Sequence, residues 1–172
     1  MFKTLRDRER AKLIIRAILH EAGGTLDLRT SLYKAFYAAH LYYFAETPGV
    51  LSNWPVVRMP EGPGIDDGQT LIAQMVRENL IAEYDSYSPY HEYSYKLLKP
   101  LGPDEISRDE RAAITKAVAY VKGKTARSLS RELHEKSYSW KNAKDGEVLN
   151  IYLDLLDEEE RAAEFALAKR TA

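Results

Sequence analysis

Apolar residues recur at helical spacing over residues 7–22: Ala11, Ile14, Ile15, Ile18 and Ala22 share one face, with Arg8, Arg10, Lys12, Arg16 and Glu21 mostly elsewhere. Gly23-Gly24 ends this predicted helix by allowing left-handed backbone geometry. A second predicted helix covers residues 27–45, with Asp27 as its N-cap. Leu32, Ala35, Phe36, Ala39 and Tyr43 form one stripe of it, and Leu28, Tyr33, Tyr37, Leu41, Tyr42 and Phe44 cover much of the rest. A helix apolar on most sides is expected at the centre of its domain. Pro48-Gly49 stops it. Residues 50–68 read as an irregular loop carrying Trp54-Pro55, Met59-Pro60 and Gly62-Pro63-Gly64, each X-Pro pair biasing the chain toward extended geometry. A loop this long inside a compact domain is often functional.

A third predicted helix, residues 69–79, is capped by Asp66 or Asp67 and turns Leu71, Ile72, Met75, Val76 and Leu80 to one face. Residues 81–87 and 93–99 read as two short strands around a hairpin loop at 88–92, because Tyr93, Tyr95 and Leu97 alternate. Three helices followed by a hairpin is the order of a winged helix. After a connector at 100–103, Ser107 and Glu110 form a capping box. The helix behind it gathers Ile114, Ala117, Val118 and Val121 and ends at Gly123. Thr125 caps a further helix with Ala126, Leu129 and Leu133 on its inner face. Asp145-Gly146 is a turn, residues 148–153 are a short apolar run in strand or loop, and residues 158–169 form a last helix. That helix is acidic at its start and basic at its end, which complements its dipole. The expected fold is mainly α, of the α+β kind: one helical domain over residues 1–172 with a small β-hairpin and a winged-helix-like N-terminal half.

Composition narrows the chemistry. The 172 residues include no cysteine, which excludes disulfides, thiolate metal sites and thiol nucleophiles. Met1-Phe2-Lys3-Thr4-Leu5-Arg6-Asp7-Arg8 turns charged at once and lacks the apolar stretch of a secretory signal, and no window is apolar enough to span a bilayer. The expected location is the cytoplasm, with no membrane partner. The 25 Lys+Arg balance 26 Asp+Glu, so no global charge draws the chain to nucleic acid. Twelve tyrosines supply half-apolar, half-polar side chains suited to contact surfaces.

No motif demands catalysis. His134 stands beside Glu132 and Glu135 without a second histidine one turn away, and is expected to hydrogen-bond inside the domain near Trp140. His40 has Phe36 and Phe44 as its turn neighbours, neither of which is a ligand or a base. Asp66-Asp67 and Glu158 to Glu160 read as helix starts. No phosphate loop or nucleophile elbow is present. No catalytic residue, metal or cofactor is therefore expected. For DNA, the third helix offers Gln69, Thr70, Gln74, Arg77 and Asn79, but Arg77 is its one cation. Lys122, Lys124, Arg127 and Arg131 form a separate basic run that reads as a solvated helix face. Tyr84, Tyr87, Tyr90, Tyr93 and Tyr95, with Trp54 and Arg58, are the candidate partner-binding residues. Cross-strand packing inside the hairpin is the alternative for the tyrosines.

Three stretches resemble the Panacea family, the SocA-like antitoxin domain. They are the aromatic helix from Leu32 to Ala45, which includes His40 and Tyr43; Arg58-Met59-Pro60-Glu61-Gly62-Pro63, similar to a family loop ending in Gly-Pro; and Leu129 to Glu135 with His134, followed by Trp140. The likeness runs in one order over roughly residues 10–155. Glu61 stands where the family commonly has an aromatic, and Leu133 where it has threonine. The resemblance implies a mainly helical domain that neutralises a cognate toxin by direct contact. The expected partner is that toxin or another protein, with nucleic acid second and a homodimer compatible with both. The expectation rests on a stable scaffold with a shaped exterior. An enclosed cleft on which polar side chains converge would overturn it.

Overall fold

The computed structural model describes residues 7–85 and 92–171. Helix α1 spans Arg8–Glu21, and the Asp7 carboxylate at its N-cap accepts from the Arg10 amide at 2.9 Å. Gly23 and Gly24, at φ +92° and +93°, turn the chain out of it. The expected polar face of α1 is corrected in part. Lys12 and Arg16 are buried, each beside acids from other elements. Lys12 Nζ meets Glu78 at 2.7 Å and Glu9 at 2.8 Å. Arg16 pairs with Glu105 at 2.9 Å and donates to the carbonyls of Lys99 and Pro100. Buried charges persist where partners replace the lost water.

Strand β1, Thr25–Asp27, was not expected. Asp27 belongs to it and accepts from Ser94 Oγ at 2.9 Å, so it does not cap the next helix. Leu28 holds the cap position of α2 at φ +71°, with no side-chain cap bond. Helix α2, Arg29–Glu46, is buried from Ser31 through His40 and packs along α4, as its apolar circumference implies. The expected irregular loop after it contains a hairpin: β2, Val56–Met59, pairs antiparallel with β3, Gly62–Ile65. The prolines that suggested a loop impose the extended geometry a strand uses, and Pro60 falls in the turn. Residues 146–149 run along the free edge of β2 through Arg58 N to Glu147 O, 2.9 Å, and Leu149 N to Val56 O, 2.8 Å.

Helix α3 is Gly68–Arg77; Asp67 stands at its N-cap with φ +50° but its side chain makes no cap bond. Strands β4, Ile81–Asp85, and β5, Tyr93–Leu97, form the expected antiparallel hairpin. Its loop, with Tyr87 and Tyr90, lies outside the described residues. β1 pairs with the far side of β5, giving the order β1-β5-β4. Helix, strand, two helices and a hairpin, with the first strand returning to the last, is the connectivity of a winged unit. Here β2-β3 is inserted between α2 and α3.

Helix α4, Arg108–Val121, begins at the Ser107–Glu110 capping box, with both reciprocal bonds formed. Thr125 caps α5, Ala126–Lys136, by accepting from Ser128 N. Ser137 caps the short α6, Tyr138–Asn142, and a 3-10 turn follows at Ile151–Asp154. Helix α7, Glu158–Thr171, lies on the outside, touching the body through Phe165 and Arg161 against the Tyr138 ring. Ile14, Ile18, Leu32, Phe36, Leu71, Met75, Ile81, Tyr95, Ile114, Val118 and Leu129 belong to one buried cluster. The architecture is mainly helical with a small antiparallel sheet.

Candidate functional site

The N-terminal ends of α2 and α5 open onto one groove of about 800 Å³. Leu28, Arg29 and Thr30 line one wall, and Thr125, Ala126, Arg127, Ser130, Arg131 and His134 the other. Glu61 reaches it from the β2-β3 turn, and Glu92 and Tyr93 from the start of β5. Among these, Ser130 is buried, 5% exposed, and its Oγ has no hydrogen-bond partner. His134 Nε2 is likewise buried without one. Arg29 is committed to the fold: its Nε donates to Tyr95 Oη at 3.2 Å, its guanidinium lies 4.2 Å from the Tyr93 ring centre, and Glu83 is 3.6 Å away. Arg127 and Arg131 have no hydrogen-bond or ion-pair partner among the described residues.

The groove is ligand-sized but open to solvent rather than enclosed, and its lining is more apolar than polar. His134 lies where expected, with its ring stacked on Trp140 at 4.0 Å and 10°. The expected hydrogen bond is corrected, because Nε2 makes none. Ser130 and His134 sit one turn apart on α5, the spacing a hydroxyl nucleophile and its base would use. Neither Ser130 Oγ nor His134 Nε2 bonds to the other, so no activated pair is assembled.

Below the groove the remaining motif residues interlock. Trp140 Nε1 donates to the Met59 carbonyl at 2.8 Å. Arg58 stacks over the Trp140 ring at 4.3 Å, donates from Nε to its carbonyl at 3.0 Å and pairs with Asp145. Gly62, at φ +108°, brings the turn against α2: a Cβ there would sit 3.0 Å from Lys34 Nζ and 3.7 Å from Leu133 Cβ. Lys34 is 2% exposed, and its ammonium donates to the Pro63 carbonyl at 2.8 Å. Burial pulls its pKa down to about 7, against a smaller upward pull from Glu61. Pro60 is exposed at the turn.

The other sequence-predicted residues lie elsewhere. Trp54 is buried and donates from Nε1 to the Asp66 carbonyl at 2.8 Å, which corrects its expected place on a contact surface. His40 is buried, bonded to Phe36 O at 2.8 Å and Ser52 Oγ at 2.6 Å, and burial lowers its pKa to about 4. Tyr43 is half-buried. The expected tyrosine surface is corrected at Tyr95, which is 1% exposed in the core. Tyr93 is half-buried under Arg29, whereas Tyr84 is 53% exposed. Cross-strand and core packing thus occupies two of the three described hairpin tyrosines. Lys34, Ser130 and Arg29 were missed by sequence reasoning. The signal available was a lone lysine within an apolar helix, and a serine one turn ahead of the motif histidine.

No group of three or more His, Asp or Glu suited to a metal occurs among the described residues, and no helix there is long and apolar enough to cross a membrane. Comparison of the chain with protein-family models, with curated proteins and with solved structures finds no match.

Proposed function

We propose that the chain is a protein-binding domain of the SocA-like antitoxin kind, acting in the cytoplasm by covering the active surface of a cognate toxin. One observation carries this reading: the motifs behind the resemblance, far apart in sequence, meet in one cluster. Arg58, Met59, Gly62 and Pro63 contact α2, α5 and α6 through Lys34, Leu133 and Trp140, with His134 stacked on Trp140. A contact surface is available beside it. A cleft of about 310 Å³ lies over Phe44, Leu51, Pro55 and Tyr152, flanked by Val50 and Val148, which are 55% and 56% exposed. Apolar clefts with exposed aliphatic rims suit protein partners. The test is co-expression with the products of adjacent genes. Wild-type chain restores growth against one of them. Val50→Asp/Val148→Asp loses that rescue while melting at the wild-type temperature. Failure of the wild-type chain to restore growth against any adjacent product ends the reading.

A second reading, a winged-helix DNA-binding regulator, is favoured by the connectivity of α1 to β5. α3 turns Gln69, Thr70, Ala73, Val76 and Arg77 to solvent, a single cation among them. It requires steeply salt-dependent binding to a promoter fragment that Arg77→Ala weakens. Absence of binding at low salt removes it.

A further inference from the structure

We propose that the exposed face of α7 is a self-association surface, on which a second copy of the chain lays its own α7 in the antiparallel direction. None of residues 158–170 is buried. The helix meets the body through Arg161 and Phe165, one turn apart, which lie against the Tyr138 ring. Ala163, Ala166 and Leu167 point away from that contact at helical spacing, and Leu167 is 59% exposed. A helix of 14 residues has little stability of its own in water, and most helices of this length are held by packing of an apolar face. The outer side of α7 therefore offers a surface that a partner would cover with gain.

Charge complementarity selects the occupant. Glu158, Glu159 and Glu160 open the helix, and Lys169 and Arg170 close it. Neither Glu159 nor Arg170 has an ion-pair partner among the described residues. Glu159, Ala163, Ala166 and Arg170 follow one another at spacings of four, three and four, so they share one face, with the two charges about three turns apart. A second α7 related by a twofold axis beside this face meets it residue for residue. Glu159 of each copy then faces Arg170 of the other, and Ala163 faces Ala166 at the centre. The acidic start of each helix lies against the basic end of its neighbour, and the two helix dipoles run in opposite directions. A parallel pair would instead set glutamate against glutamate. A different partner would have to present the same charges in reverse order, which the chain already carries on α7 itself.

The pairing does not depend on toxin neutralisation and is tested on the full chain alone, by analytical ultracentrifugation over about 5–500 µM. One helix pair about 20 Å long covers less than the roughly 1,200 Å² of a stable interface, so a reversible dimer with a dissociation constant of about 10–100 µM is expected. Ala163→Glu/Ala166→Glu stays monomeric over the whole range. Both sites are exposed and glutamate is a good helix former, so its circular dichroism and melting temperature match those of the wild-type monomer. Glu159→Lys weakens the dimer about tenfold, because symmetry places two like-charge pairs at once. Glu159→Lys/Arg170→Glu recovers most of that loss, since the reversed charges again face each other. A wild-type chain still monomeric at about 500 µM leaves α7 to some other partner and overturns the proposal. A dimer that survives Ala163→Glu/Ala166→Glu lies on another face and overturns it as well. So does a double charge reversal that dimerises no better than Glu159→Lys alone, because the antiparallel arrangement is then absent.

Discussion

Tyr37 Oη donates to Asp154 Oδ2 at 2.6 Å, joining the central helix to the 3-10 turn 117 positions away. The same carboxylate accepts from Ser137 Oγ at 2.8 Å, Ser139 N at 2.7 Å and Ser139 Oγ at 2.9 Å. One side chain thereby fastens α2, the start of α6 and the segment leading to α7. Burial, then the Asp154 charge, hold the Tyr37 phenol well above the usual tyrosine range. Asp154→Ala leaves several buried donors unanswered and is expected to cost about 2–4 kcal/mol, read as a lower urea midpoint. Asp154→Asn keeps an acceptor oxygen and should cost less. Equal midpoints for Asp154→Ala and wild type would show that the hub does not hold the fold.

The elements legible in the sequence are those specified locally. The Ser107–Glu110 box, the Thr125 cap and the Gly23-Gly24 stop each depend on residues within one turn of each other, and each forms. β1 and β2-β3 depend on distant partners. Three residues of β1 are held by β5, and β2 is bordered by residues 146–149 on the edge away from β3. Alternation correctly put Tyr93 and Tyr95 on one face of β5 but held no information on depth. Tyr95 is central to its strand and sinks into the core, while Tyr93 opens the strand and stays half-exposed. The groove was hidden for a related reason. α2 is apolar on most sides, so periodicity could not show that Lys34 turns toward Pro63 or that the first turn of α2 borders a groove shared with α5.

Lys34 gives the protein an alkaline signature. Its pKa is about 7 folded against an ordinary 10.5, so between those values the unfolded chain binds the proton and the folded one does not. Stability therefore rises with pH across that window. The free energy of unfolding in urea is expected to climb from pH 7 to pH 9, before the buried tyrosines begin to act in the opposite direction. Lys34→Met should flatten that climb. An unchanged slope in the variant would show that the ammonium stays charged in the folded protein.

His40 acts at the acid end. Burial holds its pKa at about 4, below the ordinary 6.5, despite the bond to the Phe36 carbonyl. The unfolded chain takes up the proton as pH falls through 6.5, while the folded chain resists until about 4, so stability is lost over that interval. Glu105 and Glu132, held low by Arg16 and by Lys136 with Lys124, add their own loss below the ordinary carboxylate value of 4.5. Melting temperatures compared at pH 6.5 and pH 5 isolate the histidine, and His40→Gln should reduce the difference. A difference of wild-type size in that variant would place the acid sensitivity elsewhere.

Gly62 and Gly68 separate two kinds of constraint around the motif cluster. Gly62 has φ +108°, so alanine there is strained in its backbone and also drives a Cβ to 3.0 Å from Lys34 Nζ. Gly68 has no such backbone demand, but its Cβ would lie 2.5 Å from Tyr33 Oη and 2.8 Å from Cζ, atoms of a ring buried in the core. Gly62→Ala is expected to cost about 1–3 kcal/mol through strain and to raise the exposure of Lys34, which would move its pKa back toward 10.5. Gly68→Ala is expected to cost about 1–3 kcal/mol by overpacking alone and to leave the Lys34 titration where it is. Unfolding free energies measured from pH 7 to pH 9 read both effects at once. If Gly62→Ala lowers stability but keeps the wild-type alkaline climb, the turn is held by more than its glycine, and Lys34 stays sealed without it.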